Sequence, residues 1–308
     1  MYNLDMEKIT LNNKKQIPVI GLGTWRSDKN KLTPIVEYSI IECDYRHVDC
    51  ASIYKNEKEI GQALKRISSN KISREELFIT SKLRNTDHHP DNVEEACKKT
   101  LKDLQLKYLD LYLMHWGIAI EHGQDLEPIG SNGLVKTEKV PIIKTWKAME
   151  KLVKKGLVKS IGIANFSVSM IIDLLSYSNI KPVINQVEIH PYNSQQELVN
   201  FCHKINIQIT AYSPLGSSGD IKKRPIYDRV VIQIANKYKK TPAQILIKWS
   251  LQRGLIVIPK SIDLLRIKEN IDVFNFKLLE IDMAQINKLN KNYRFVDPVI
   301  WWGIRYFK

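Results

Sequence analysis

Leu77-Phe78-Ile79-Thr80-Ser81-Lys82 is a short, nearly continuous apolar run that ends on a lysine. Such a run fits a strand buried on both faces, as in a parallel sheet covered by helices. A lysine ending a buried run needs a partner, because an unpaired buried ammonium is costly. Upstream, Tyr45-Arg46-His47-Val48-Asp49 is a run of the same kind that ends on a carboxylate. Working outward, strand-like runs recur at 19–24, 45–49, 77–82, 109–115, 159–164, 183–188, 207–212 and 255–259.

Helix-like segments separate them. After Pro90, the residues Val93, Ala96, Cys97, Leu101 and Leu104 share one helical face. The run 143–153 places Trp146, Met149, Leu152 and Val153 similarly, and Gly156 stops it. Pro242 opens a helix over 243–252. Eight such repeats predict an α/β fold, a closed parallel (β/α)8 TIM barrel, with residues 1–308 as one barrel domain.

Three segments fall outside the repeat. An N-terminal hairpin over 8–16, within a segment 1–17, turns at Asn12-Asn13 and is expected to plug the barrel bottom. Residues 117–140 read as a long polar loop after the fourth barrel strand, and loops of that length are uncommon unless functional. The tail 293–308 is aromatic, with Phe295, Trp301, Trp302, Tyr306 and Phe307, and is expected to pack over the pocket mouth.

The bulk properties are those of a soluble globular protein: 44% hydrophobic and 26% charged residues over 308. No apolar run is long enough for a membrane span, and the start lacks a signal-peptide core, so a cytoplasmic protein is the expectation. The four cysteines form no C-x-x-C pair, and no metal site is expected. The net charge of +14 raises the question of nucleic acid, but the lysines are scattered over helix faces without an aromatic-interleaved strip. A positive field also draws an anionic cofactor or a phosphorylated substrate. The expected partner is a small molecule, and the expected state a monomer or weak dimer.

In such a barrel the active site lies at the carboxyl ends of the strands. Asp49, Lys82, His115, Asn165, Gln186, Tyr212 and Lys260 all fall there. Taken singly, His115 reads equally as a core histidine and Tyr212 as an ordinary strand aromatic. As a set they make a site. Tyr54 beside Lys82, with Asp49 behind the lysine, makes a phenol whose pKa the ammonium is expected to lower from near 10. Such a group suits carbonyl reduction, with neutral His115 orienting the oxygen. The hydride donor needs contacts other than a Rossmann loop, because Gly21-Leu22-Gly23-Thr24-Trp25-Arg26 lacks the third glycine. Asn165 and Gln186 offer amides for a carboxamide, and Tyr212 a ring to stack. Ser213 to Ser217, Lys260, Ser261 and Arg266 offer phosphate donors.

Several stretches together carry a likeness: Gly21-Leu22-Gly23-Thr24-Trp25, Tyr45 to Asp49 followed by Tyr54-Lys55-Asn56-Glu57, Leu109-Asp110-Leu111-Tyr112-Leu113-Met114-His115-Trp116, Gly162-Ile163-Ala164-Asn165-Phe166 and Ile258-Pro259-Lys260-Ser261. The chain resembles the aldo-keto reductase superfamily over nearly its whole length. Within it, Ile180 to Glu188 and Trp302-Gly303-Ile304 resemble aldose, xylose and aldose-6-phosphate (mannose-6-phosphate) reductases. The resemblance implies NADP(H) and a catalytic tetrad of Asp49, Tyr54, Lys82 and His115. It implies cofactor contacts from Gly23, Thr24, Trp25, Asp49, Asn165, Gln186, Tyr212, Ser213, Leu215, Gly216, Ser217, Lys260, Ser261, Ile262, Arg266, Glu269 and Asn270. It also implies a pocket lined by Trp25, Tyr54, Arg84, His115, Trp116 and Trp301.

The chain departs from that pattern at Ala164, where a serine is usual, at Arg84, where an aromatic is usual, and at Gly117, where proline is common. Asp263 stands where a neutral side chain is common, which leaves NAD(H) open beside NADP(H). The segment after Gly216 is short for the family. The expected function is NADPH-dependent reduction of aldehydes or aldoses, with sugar phosphates as a further possibility. A non-catalytic, cofactor-binding regulatory or structural protein is the alternative. A barrel glycoside hydrolase pairing Asp49 with Glu188 is a third reading.

Overall fold

The computed structural model describes residues 7–68, 72–217 and 223–307. Residues 1–6, Ser218, Gly219 and Lys308, on which the readings of the N-terminus, of the loop after Gly216 and of the tail's end touch, lie outside the described residues.

Strands β1 (Lys8–Thr10) and β2 (Gln16–Pro18) form an antiparallel hairpin. The hairpin therefore extends two residues beyond the predicted 8–16. Eight parallel strands follow: β3 (Leu22–Gly23), β4 (His47–Asp49), β5 (Phe78–Leu83), β6 (Leu111–Met114), β7 (Ile161–Ala164), β8 (Ile184–Glu188), β9 (Gln208–Tyr212) and β10 (Ile256–Val257). They lie side by side in chain order. Parallel bridges Ile20–Val257 and Gly23–Lys260 join the last strand to the first. The Gly21 N–H donates to the Val257 carbonyl and the Val257 N–H to Val19, both at 2.8 Å, so the sheet closes on itself.

The helices are α1 (Lys29–Ile41), α2 (Glu57–Ser68), α3 (Pro90–Leu104), α4 (Ile142–Lys154), α5 (Val168–Tyr177), α6 (Gln196–Lys204), α7 (Arg229–Tyr238), α8 (Pro242–Gln252), α9 (Leu264–Ile271), α10 (Glu280–Asn287) and α11 (Val299–Trp302). One to three of them follow each barrel strand. Their starts obey local rules: Pro90 and Pro242 sit in the first turn, where no N–H is missed, and Thr241 with Gln244 closes a capping box. The predicted face of α3 is buried through Val93, Cys97, Leu101 and Leu104.

Two apolar layers hold this arrangement. The larger lies between strands and helices and includes Trp146, Trp249 and Tyr112. The smaller fills the barrel interior, where Leu11 and Ile17 of the hairpin region pack with Phe78, Leu111, Leu113, Val183, Ile184 and Ile256. Asn12 ties the hairpin's turn to the carbonyls of Pro182 and Asn206, and Asn13 donates to the Ser160 hydroxyl. These partners precede β7, β8 and β9, so the hairpin sits at the amino ends of the strands. The opposite end is left to polar side chains. Inside the barrel, His47 packs so close to Gly21 that a Cβ there would lie 2.5 Å from its Nδ1.

Residues 117–140 are more ordered than an open polar loop. Bridges Ile120–Thr137 and Ile129–Val135 pair the excursion with itself, and Ile120 and Val135 are buried. All four cysteines are buried thiols. Among the described residues no helix is long and apolar enough to cross a membrane.

Candidate active site

Register brings the first pair together. β4 and β5 are adjacent and parallel, with Asp49 opposite Thr80, so Lys82 rises one residue pair beyond the carboxylate. The Lys82 ammonium donates to Asp49 Oδ1 at 2.5 Å, to the Cys50 carbonyl at 2.8 Å and to Tyr54 Oη at 3.4 Å. Three N–H bonds thus meet three acceptors around a lysine with no exposed surface. The other Asp49 oxygen accepts from Gln186 Nε2 at 2.8 Å. Tyr54 comes from a 3-10 turn, Ser52–Tyr54, after β4, and the left-handed Lys55 (φ 55°) ends that turn. The rings of Tyr54 and His115 meet edge-on at 6.1 Å.

The charges are set mainly by burial. Burial works against the Lys82 charge, but Asp49 and Tyr54 outweigh it and hold the ammonium above the ordinary lysine range. Burial is also the largest influence on Tyr54 and raises its pKa; Lys82 pulls it down and Asp49 pushes it up. The balance is a phenol above its ordinary value, which corrects the expectation of a lowered one. Removing a phenolate from water costs more than one ammonium at 3.4 Å returns. Burial, then Lys82 and His88, hold His115 well below the imidazole range, so it is neutral.

The neighbouring strand ends carry the expected amides. Asn165 is in the left-handed region (φ 63°); its Nδ2 donates to the His115 carbonyl at 3.0 Å and its Oδ1 accepts from Tyr212 Oη at 2.8 Å. Thr24 Oγ1 donates to the Asp49 carbonyl at 2.7 Å, next to the half-buried Trp25. Ser213 (φ 51°), Leu215, Gly216 (φ 81°) and Ser217 form the turn after β9, where the Gly216 N–H donates to the Ser213 carbonyl. Lys260, Ser261 and Ile262 lead from β10 to α9, which carries Arg266, Glu269 and Asn270. The side chains of Lys260 and Arg266 form no ion pair or hydrogen bond among the described residues, so two uncompensated cations lie at the start of one helix. Asn270, unlike its exposed neighbours Lys268 and Glu269, is buried.

Three residues have partners the sequence reading did not foresee. Arg84 is forked onto the buried Asp87, Nε to Oδ2 at 2.7 Å and Nη2 to Oδ1 at 2.9 Å. Asp263 caps α9, its Oδ1 accepting the Arg266 N–H at 3.0 Å. Glu188, fully buried, accepts from the Phe295 N–H at 2.7 Å, the Val296 N–H at 3.1 Å and His190 Nε2 at 2.9 Å. A carboxylate so committed is no partner for Asp49 in hydrolysis, and the hydrolase reading loses its second acid.

The aromatic tail reaches Trp116 through Trp302, Tyr306 and Phe307 rather than through Trp301, the tail residue expected in the pocket. Trp116 packs edge-on against Trp302 at 5.1 Å and Tyr306 at 5.2 Å, with Phe307 at 5.7 Å. The predicted Trp301 is only half-buried and touches Trp302. The Gly117 N–H donates to Tyr306 Oη at 2.9 Å, and Arg294 lies over the Phe307 ring at 3.8 Å. One signal was available: an acid ending a buried strand, as Glu188 does, demands partners for the same reason as Lys82.

Comparison with known proteins agrees with this geometry. The model of the aldo/keto reductase family matches residues 19–291. Zebrafish (Danio rerio) aldo-keto reductase family 1 member A1-A is 48% identical over 299 residues, 95% of this chain and 92% of that one. The human (Homo sapiens) member A1 is 47% identical with the same coverage. The solved aldose reductase of Schistosoma japonicum superposes with a TM-score of 0.92 at 45% identity, covering 98% of this chain and 99% of that chain. A Bombyx mori aldo-keto reductase solved in complex with NADP gives 0.89 at 37%, with the same coverage. On these matches, and with Asp49, Tyr54, Lys82 and His115 gathered at one end of a closed barrel, the chain belongs to the aldo/keto reductase family.

Proposed function

We propose that this protein reduces aldehydes, including aldoses, to alcohols with NADPH, and that Tyr54 is the proton donor. The observation that carries the reading is Lys82, buried and donating to Asp49, Cys50 and Tyr54 at once. Bound nicotinamide cofactor supplies the hydride. The donor set fits such a group: the unpaired cations Lys260 and Arg266 for phosphate, the turn of Ser213, Leu215, Gly216 and Ser217, and the amides of Asn165 and Gln186 near the tetrad. One Asp263 oxygen is taken up as a helix cap, and the NADP complex of the Bombyx mori relative supports NADP(H) as the cofactor.

The protein's own groups handle the proton. Tyr54 is neutral at working pH and donates to the carbonyl oxygen as negative charge develops there. An alkoxide is a far stronger base than a phenolate, so a phenol with a raised pKa still serves. Lys82 stabilises the phenolate left behind, and Asp49 keeps Lys82 charged and placed. Neutral His115 offers an N–H to the oxygen before transfer, and Trp25 and Trp116 supply apolar walls. Loop 117–140 and tail residues 293–307 cover the pocket mouth. Phosphorylated sugars have less support, because Arg84 is engaged by Asp87.

A non-catalytic role has no use for Tyr54 at the end of this buried relay. Tyr54→Phe is expected to keep NADPH binding and to lose aldehyde reduction by about 10²–10⁴-fold. NADPH absorbance with glyceraldehyde or xylose reads the loss; full turnover in the variant sinks the mechanism, and no turnover by the unaltered protein across an aldehyde panel favours the non-catalytic role.

A further inference from the structure

We propose that Glu57 is a positioning residue for the proton donor: its carboxyl bolts the start of α2, three residues after Tyr54, onto the strand that carries Lys82. The inference rests on the carbonyl-reduction reading above. Glu57 opens α2 and is 4% exposed. Its Oε1 accepts from Ser81 Oγ at 2.6 Å, and Ser81 directly precedes Lys82 on β5. Its Oε2 accepts from Thr100 Oγ1, on α3, at 3.1 Å. It has no salt bridge among the described residues. Burial is the main influence on this carboxyl and raises its pKa, with the two hydroxyls opposing.

A carboxyl serving only the helix dipole would lie in water, at little cost. One buried against two neutral hydroxyls is expensive and is held in a single geometry. The neighbouring Asn56 completes a bracket, its Nδ2 donating to the Thr24 carbonyl at 2.9 Å. The chain just after Tyr54 is therefore tied to the end of β3 through Asn56 and to β5 through Glu57. What the bracket sets is the Tyr54–Lys82 separation of 3.4 Å. At that length a hydrogen bond is marginal, so a shift of a few tenths of an ångström decides how well the ammonium holds a phenolate.

The test is Glu57→Ala, read by kinetics in both directions. Cofactor affinity is expected to stay near that of the unaltered protein while kcat falls roughly 10- to 100-fold. In alcohol oxidation Tyr54 must be a phenolate, so weaker contact with Lys82 moves the acid limb of kcat to higher pH. Glu57→Gln keeps an acceptor toward Ser81 and is expected to restore most of kcat and the limb. Glu150→Ala is the control for lost stability alone. That carboxyl is equally buried but accepts from the N–H groups of Asn179 and Ile180, so its loss lowers Tm and leaves the limb in place. An unshifted limb in Glu57→Ala, or an equal shift in Glu150→Ala, overturns the inference. Should Glu57→Ala not fold, Ser81→Ala cuts the same bolt from the other side, and an unshifted limb there overturns it too. No turnover by the unaltered protein overturns the functional reading instead.

Discussion

The tetrad and the aromatic layer beside it both hold side chains still, but by different means. Asp49, Lys82 and His115 ride on the ends of neighbouring strands, and Tyr54 hangs on a turn just after one of them. Their spacing follows from sheet register and from one saturated ammonium. The layer around Trp116 is assembled from segments far apart in the chain: Gly117 with Tyr306, Val135 with Trp302, Glu188 with Phe295 and Val296. Its members owe their places to edge-on rings and to a few hydrogen bonds outside the barrel ladder. Such a layer opens at lower free energy than a barrel core. The difference teaches that the proposed proton relay is built into the cooperative unit of the fold, whereas the layer proposed to govern access is built onto it.

Breaking the core arrangement gives the largest effect. Lys82→Met leaves Asp49 buried without its counter-charge, and loss of one partner of a buried pair costs about 3–5 kcal/mol. Activity is expected to vanish with it. Adding Asp49→Asn should recover part of the stability and none of the activity. Urea melts of the two variants check this; equal stability in the single and double variants means that the pair is not the element holding these strand ends.

Next is the anchor of the outer layer. Glu188→Ala removes an acceptor shared by two backbone N–H groups and His190, and a hydrogen bond to a charged group contributes about 1.5–3 kcal/mol. The expected pattern is the reverse of Lys82→Met: tail protection against hydrogen exchange is lost, KM rises, and kcat on glyceraldehyde is largely kept. A fall in kcat as deep as that of Lys82→Met would mean that core and layer are one unit.

The same contrast separates what was legible in the sequence from what was not. The eight strands, the hairpin and the gathering of the tetrad could be read because each depends on local pattern: a short apolar run, a turn, a polar residue at its end. The net state of Tyr54 could not, since burial outweighs the ammonium that was visible beside it. Arg84 looked like a free pocket cation, although Asp87 stands three residues on, and the turn between them folds that carboxylate back onto the guanidinium. Asp263 looked like a cofactor contact, although an acid just before a helix reads equally as a cap, and here it is one. Trp302 rather than Trp301 meets Trp116, a choice made by the direction in which α11 enters the layer. Residues placed by the pattern of one strand were readable; residues whose role depends on which partner they select, near as for Arg84 or far as for Trp302, were not.

The smallest effect tests the layer at a single hydroxyl. Tyr306→Phe keeps the ring against Trp116 and removes the hydroxyl that accepts from the Gly117 N–H and donates to Met170 Sδ at 3.6 Å, a loss of about 0.5–1.5 kcal/mol per bond. Gly117→Pro removes the donor instead, and adds bulk where a Cβ would lie 2.2 Å from the Met170 methyl. The tail carries the tyrosine and the loop after β6 carries the glycine, so this bond should govern how large an aldehyde is admitted and leave the tetrad untouched. Tyr306→Phe is expected to change kcat/KM a few-fold for bulky aldehydes, with little change for glyceraldehyde and an unmoved pH profile. In the double variant the tyrosine change should cost less than it does alone, because the Gly117 N–H is already gone and only the weak contact with Met170 Sδ is left to lose. Full additivity would place the hydroxyl's contribution in its contact with Met170 rather than with Gly117, and a shifted pH profile would extend the proton machinery into the layer.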